Sequence, residues 1–201
     1  MKVVLTAGDD VEFFKNGSEG YYLRNMPMVT SLLKESPHVI DTNTDLIDTD
    51  KTLSAYSKGK YKGPSSFYAS LGGEIAVEAQ AHPTWFENAC AARLSYALNE
   101  NGISIPYIPG QTMKGSDGKN YFLRAIDMKG FFLRIWGKPR TYSAPKYHIK
   151  NGIVYQSGFN GVTGHVDVFF NETSGGAAYL YYWNGDNDHK NIKTEIWKYG
   201  R

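Results

Sequence analysis

The chain has 201 residues, with 22 Lys and Arg against 20 Asp and Glu and a net charge of +2. That balance creates no field of either sign strong enough to recruit nucleic acid or an anionic membrane, so neither partner is expected. Apolar residues at 41% and aromatics at 14% suit a folded, strand-rich domain of a size that one core fills. No stretch reaches the roughly 18 to 20 continuous apolar residues of a membrane span. The opening residues turn polar at Asp9 and Asp10, too soon for the apolar part of a secretory signal, so no export signal is expected. The single cysteine, Cys90, excludes an internal disulfide and a cysteine-rich metal site. By default a lone cysteine is a small buried hydrophobe, and only its neighbourhood argues otherwise.

In chain order, residues 1–66 read as an N-terminal elaboration packed on a core formed by 67–201. They open with a strand at 3–6, and 41–51 (D-T-N-T-D-L-I-D-T-D-K) reads as a polar loop. The alternating acids there do not make a calcium loop, since no Gly sits mid-frame and no Glu closes it. A short helix at 67–71 leads into Gly72-Gly73. The clearest helix covers 88–99, where Cys90, Leu94, Ala97 and Leu98 recur at one apolar face and Gly102 stops it. A second helix over 125–136 buries Ile126, Phe131, Phe132 and Ile135 before Gly137 and Pro139. The last third reads as antiparallel strands at 152–156, 164–170, 177–183 and 192–199. In His165-Val166-Asp167-Val168-Phe169, polar and apolar residues alternate. His165 and Asp167 therefore share one side of a strand, which is expected to have one face on the core and one lining something wet.

Two caps are possible for the cysteine helix. Thr84 with Glu87 would form a capping box and leave Cys90 in the second turn. Asn88 would place Cys90 in the first turn, where free N–H groups and the helix dipole favour the thiolate, and this cap is preferred. A helix that opens on Cys, followed by a strand bearing His, is the arrangement a thiol nucleophile and its base require.

The flanking residues make this specific. Leu71-Gly-Gly-Glu-Ile, then Trp85-Phe-Glu-Asn-Ala-Cys90-Ala-Ala-Arg-Leu-Ser-Tyr-Ala-Leu-Asn99 with Gly102-Ile-Ser-Ile-Pro106, then Gly164-His-Val-Asp-Val168, resemble the type VI secretion amidase effectors of the fourth family. Phe122-Leu-Arg, Trp136-Gly-Lys-Pro139 and Ile196-Trp197 add to the match, which runs from about Phe67 to Tyr199. The resemblance implies an α+β fold, a papain-like cysteine hydrolase core whose N-terminal helix carries Cys and packs on an antiparallel sheet carrying His. It implies Cys90 as nucleophile, His165 as base, no cofactor, and the γ-D-glutamyl to meso-diaminopimelate bond of peptidoglycan stems as target. Export from the cytoplasm to act in the periplasm or on the wall, and an immunity protein as partner, follow from the same likeness. The family places an acid shortly after the His, but 171–177 holds no Asp. Asp167 is the first choice to orient the imidazole, with Glu172 and Asp186 as alternatives.

Oxyanion donors are expected from the Cys90 N–H and from Asn88, Gln80 or another amide. Arg93, at i+3 from Cys90, is a candidate for a substrate carboxylate or a surface ion pair. Trp85, Tyr96, Tyr155 and Trp183 could line a groove or serve packing. His38, His82, His148 and His189 lack ligand spacing, and no metal is expected. Two rival readings stand beside the effector: a housekeeping or phage-derived wall hydrolase of the same fold, and a non-catalytic wall-binding or adhesion domain with a buried Cys.

Overall fold

The computed structural model describes residues 2–4, 10–15, 21–24, 47–60, 63–142, 151–159, 162–170, 173–174 and 192–198. The expected strand at 177–183 and residues His38, His148, Glu172, Trp183, Asp186 and His189 lie outside them. Near the N-terminus, β1 (Lys2–Val4), β2 (Asp10–Lys15) and β3 (Tyr21–Arg24) form an antiparallel three-stranded sheet.

The sequence pattern accounts for the helices that follow. Helix α1 (Thr49–Lys60) starts where Asp48 caps it, its Oδ1 accepting the Lys51 N–H at 2.9 Å. Thr52, Ala55 and Tyr56, spaced at i, i+3 and i+4, turn inward and are buried. This corrects the reading of 41–51 as a loop at its C-terminal end, since Thr49–Lys51 form the first turn of α1. Helix α2 (Pro64–Leu71) begins earlier than expected because Pro64 suits the first helical position. Helix α3 (Gly73–Ala81) was not foreseen. Gly72 and Gly73 join the two helices at φ of 64° and 65°, and a Cβ on Gly73 would lie 2.5 Å from the Gly115 carbonyl carbon. Close approach to that backbone, as well as the left-handed turn, therefore demands glycine.

Helix α4 (Cys90–Glu100) is the predicted cysteine helix, with Ala91, Leu94, Ser95, Ala97 and Leu98 buried. Its buried hydroxyl, Ser95 Oγ, donates to Ala91 O at 2.8 Å and accepts the Phe122 N–H at 2.9 Å. Phe122 belongs to a hairpin of β4 (Thr112–Lys114) and β5 (Asn120–Phe122) that the sequence reading did not anticipate. Helix α5 (Ala125–Ile135) buries Ala125, Met128, Phe131, Phe132 and Ile135. Ile126, expected inside, is 40% exposed. It sits one residue, about 100° of helical turn, past the stripe that Ala125 begins, and Met128 fills the place assigned to it.

The main sheet has the order β6 (Arg140–Tyr142), β10 (Lys193–Lys198), β7 (Asn151–Ser157), β8 (His165–Phe170), β9 (Thr173–Ser174), every neighbour antiparallel. In the β7–β8 register Gln156 faces His165 and Val154 faces Asp167. Helices α1, α4 and α5 all contact β8. The expectation that one face of this strand is wet is corrected on that account: Val166, Asp167 and Val168 are all at 0% exposure, and His165, at 8%, keeps a small opening. Tyr56 and Ala55 of α1 share one core with Leu94 of α4, Phe131 of α5 and Val166 of β8.

Candidate active site

Helix α4 opens on Cys90 itself, with Ala89 at the N-cap and no side-chain cap. The placement of the thiol in the first turn holds, while the cap assigned to Asn88 does not: the Asn88 carbonyl accepts the Tyr68 hydroxyl at 2.7 Å instead. Thr84 belongs to a separate tight turn, Pro83–Trp85. No side chain caps the start of α4, so the positive end of the helix lies at the turn that carries the thiol.

His165 reaches the thiol from the start of β8. Gly164 delivers it at φ 150°, and a Cβ there would lie 2.6 Å from a Tyr155 ring carbon. The Tyr155 hydroxyl donates to Thr163 O at 2.9 Å, pinning the same loop to β7. Only a glycine lets the chain cross that ring and enter the strand with the imidazole aimed at α4. His165 hydrogen-bonds Cys90. Its Nε2 stands 3.5 Å from Asp167 Oδ2, an ion-pair distance. Asp167 Oδ1 accepts the Val168 N–H at 2.7 Å.

The electrostatics follow from these contacts. Burial pushes the Cys90 thiol up, but the His165 hydrogen bond and charge, with the backbone N–H groups of Val166 and Ala91, outweigh it and bring the thiol below its ordinary value. Burial pulls His165 down, yet Asp167 and Cys90 together push it up to about 9. Each group favours the charged form of the other, which draws the pair toward thiolate and imidazolium.

The pair borders a cleft of about 320 Å³. Asn88, Trp85 and Arg93 line it as the sequence suggested. Arg93 is half-buried, its guanidinium carbon 5.7 Å from the centre of the Phe67 ring. Trp85 stacks on His82 with ring centres 3.8 Å apart and planes 9° off parallel. Gln80 is not brought to the site: it lies on the exposed side of α3, whose inward residue is Ile75. Tyr96 and Tyr155 serve packing, Tyr96 edge-on to Phe67 and Tyr155 in the core. Tyr56 and Arg124 are among the lining residues that the sequence did not assign to the site. Arg124 pairs through Nε with Asp127 Oδ2, and Arg-x-x-Asp at a helix start was its available signal. Tyr56 could have been found from the Asp48 cap and the 52-55-56 spacing.

A first-turn cysteine packed against an antiparallel strand with His and Asp side by side defines a papain-like α+β fold. The sequence model of the Tae4 family, described as type VI secretion system (T6SS), amidase effector protein 4, matches residues 86–197, and the chain belongs to that family. It is a type VI amidase effector of the peptidoglycan-hydrolysing class, which sets aside the housekeeping and adhesion readings. Among solved structures it is similar to Tae4 from Enterobacter cloacae in complex with the immunity protein Tai4, at 25% identity and a TM-score of 0.63, covering 75% of this chain and 97% of that one. Tae4 from Enterobacter cloacae alone matches at 25% identity and 0.61, over 75% and 95% of the two chains. The Tae4/Tai4 system of Salmonella typhimurium matches at 24% and 0.64, over 76% and 98%. A comparison with curated proteins gives no match.

Proposed function

We propose that the chain is a cysteine endopeptidase that cleaves the γ-D-glutamyl to meso-diaminopimelate amide of peptidoglycan stems, with Cys90 as nucleophile, His165 as base and acid, and Asp167 orienting the ring. The observation that carries this reading is the contiguous thiol, imidazole and carboxylate beside an open cleft. The Cys90 thiolate attacks the carbonyl carbon, and the oxyanion meets the Cys90 N–H with Asn88 beside it. The C–N bond then breaks as the imidazolium gives its proton to the leaving amine, leaving a thioester. His165 next takes a proton from water, the hydroxide adds to the thioester, and C–S cleavage releases the acid and restores the thiolate.

Arg93 offers a bidentate fork to a stem carboxylate and Trp85 an apolar wall. Residues 67–201 form the amidase domain in this reading, and 1–66 an elaboration whose helix α1 covers the inner side of the site. Synthesis in the cytoplasm, delivery by the type VI machinery and action in the periplasm or on the wall complete it, with an immunity protein as inhibitor, as Tai4 accompanies the related effectors.

Mass spectrometry of purified sacculi digested with the protein tests the assignment. New D-glutamyl γ-carboxyl and diaminopimelyl amino ends are expected with the wild type, and none with Cys90→Ala. New ends at another bond would overturn the specificity, and cleavage by Cys90→Ala would overturn the nucleophile.

A further inference from the structure

Helix α1 lies outside the residues that match the family model, yet it brings one polar atom to the centre of the site. Tyr56 is 1% exposed and packs in the main core beside Leu94 and Val166. A phenol this deeply buried needs a hydrogen-bond partner. Its Oη donates to Val166 O at 3.2 Å, the carbonyl between His165 and Asp167. Cys90 and Arg93 of α4 and Asp167 of β8 are the charged or titratable groups facing it.

The need at Asp167 is equally specific. Oδ1 is held by the Val168 N–H, but Oδ2, the oxygen 3.5 Å from His165 Nε2, has no aligned donor. A carboxylate fixed at one oxygen and loose at the other can rotate its second oxygen away from the imidazole. We propose that Tyr56 is a positioning residue whose hydroxyl, bonded to the Val166 carbonyl, holds the stretch of β8 between His165 and Asp167 and so keeps the carboxylate beside the ring. It touches neither substrate nor the reacting atoms. The inference rests on the amidase reading for its kinetic consequence and on the geometry alone for its electrostatic one.

Tyr56→Phe removes the hydroxyl and keeps the ring in the core. The experiment is an NMR titration of the His165 imidazole without substrate, with stem-peptide kinetics alongside. The His165 midpoint, near 9 in the wild type, should fall by about one unit as Asp167 loosens. Turnover should fall about 10- to 100-fold with KM within about twofold. In an Asp167→Asn background the same substitution should change neither readout further, because the carboxylate it acts through is gone. An unmoved or raised midpoint overturns the proposal, as does an equal loss of turnover in the Asp167→Asn background. The titration is read on enzyme alone, so failure to cut sacculi and failure of Tyr56 to position Asp167 give distinct results.

Discussion

Helices α4 and α1 both pack on β8, and they serve the site in opposite ways. Helix α4 presents its uncapped start and a half-buried thiol to the cleft, and α1 presents its buried middle and a phenol to the same strand. The first supplies the reacting atom and the second closes the far side of the strand that bears the base. Their difference teaches that a nucleophile needs exposure and a free helix end, whereas the residues that hold its partner need the reverse, full burial and a saturated neighbourhood.

The largest expected effect separates the two helices outright. Cys90→Ala on α4 should lower turnover at least about 10⁴-fold with little change in melting temperature, while Tyr56→Phe on α1 should lower it only about 10- to 100-fold. Equal losses would erase the distinction between reacting and positioning residues.

A smaller effect concerns the strand between them. Gly164→Ala places a Cβ against the Tyr155 ring at a φ of 150°, and a cost of about 1–3 kcal/mol is expected in denaturant unfolding. Turnover should fall with it, since the displaced residue precedes the base. Wild-type stability with wild-type turnover would show that the loop relaxes freely.

The smallest effect is a pH dependence. Unfolded, the imidazole loses its proton near 6.5 and the thiol keeps its own until near 9.0; folded, His165 holds a proton to about 9 and Cys90 gives its own up earlier. Above pH 6.5 and above the lowered Cys90 value, up to about 9, both states bind one proton, so this pair leaves stability flat. In Cys90→Ala only the raised imidazole remains, still supported by Asp167. Native protein then holds a proton the unfolded chain has lost, and stability declines as pH rises from 6.5 through the folded value. Melting temperatures of the two proteins should diverge over this range; parallel curves would contradict the coupled pair.

What the sequence made legible follows the same division. The cysteine helix, the His-bearing strand and the buried stripes of α4 declare themselves through spacing and through Gly102 and Gly164, because helix faces and turns are local properties. The family blocks carried Cys90 and His165 together across 75 positions of chain. Helix α1 was missed because its sequence is polar overall, and its covering of β8 through Thr52, Ala55 and Tyr56 is a long-range fact. The same covering falsified the wet face assigned to Asp167. Asn88 failed as a cap because the helix begins one residue later, with Ala89 at the N-cap, and its carbonyl is held by Tyr68, a contact twenty residues away that no local pattern encodes.

Iodoacetamide alkylation of the native protein across pH tests the central feature most directly, since Cys90 is the only thiol. A thiolate held by His165 predicts rapid modification with a midpoint below the ordinary thiol value of 9.0 and complete loss of hydrolysis after one label. A thiol inert until the protein unfolds, or one that titrates at the ordinary value, would contradict it.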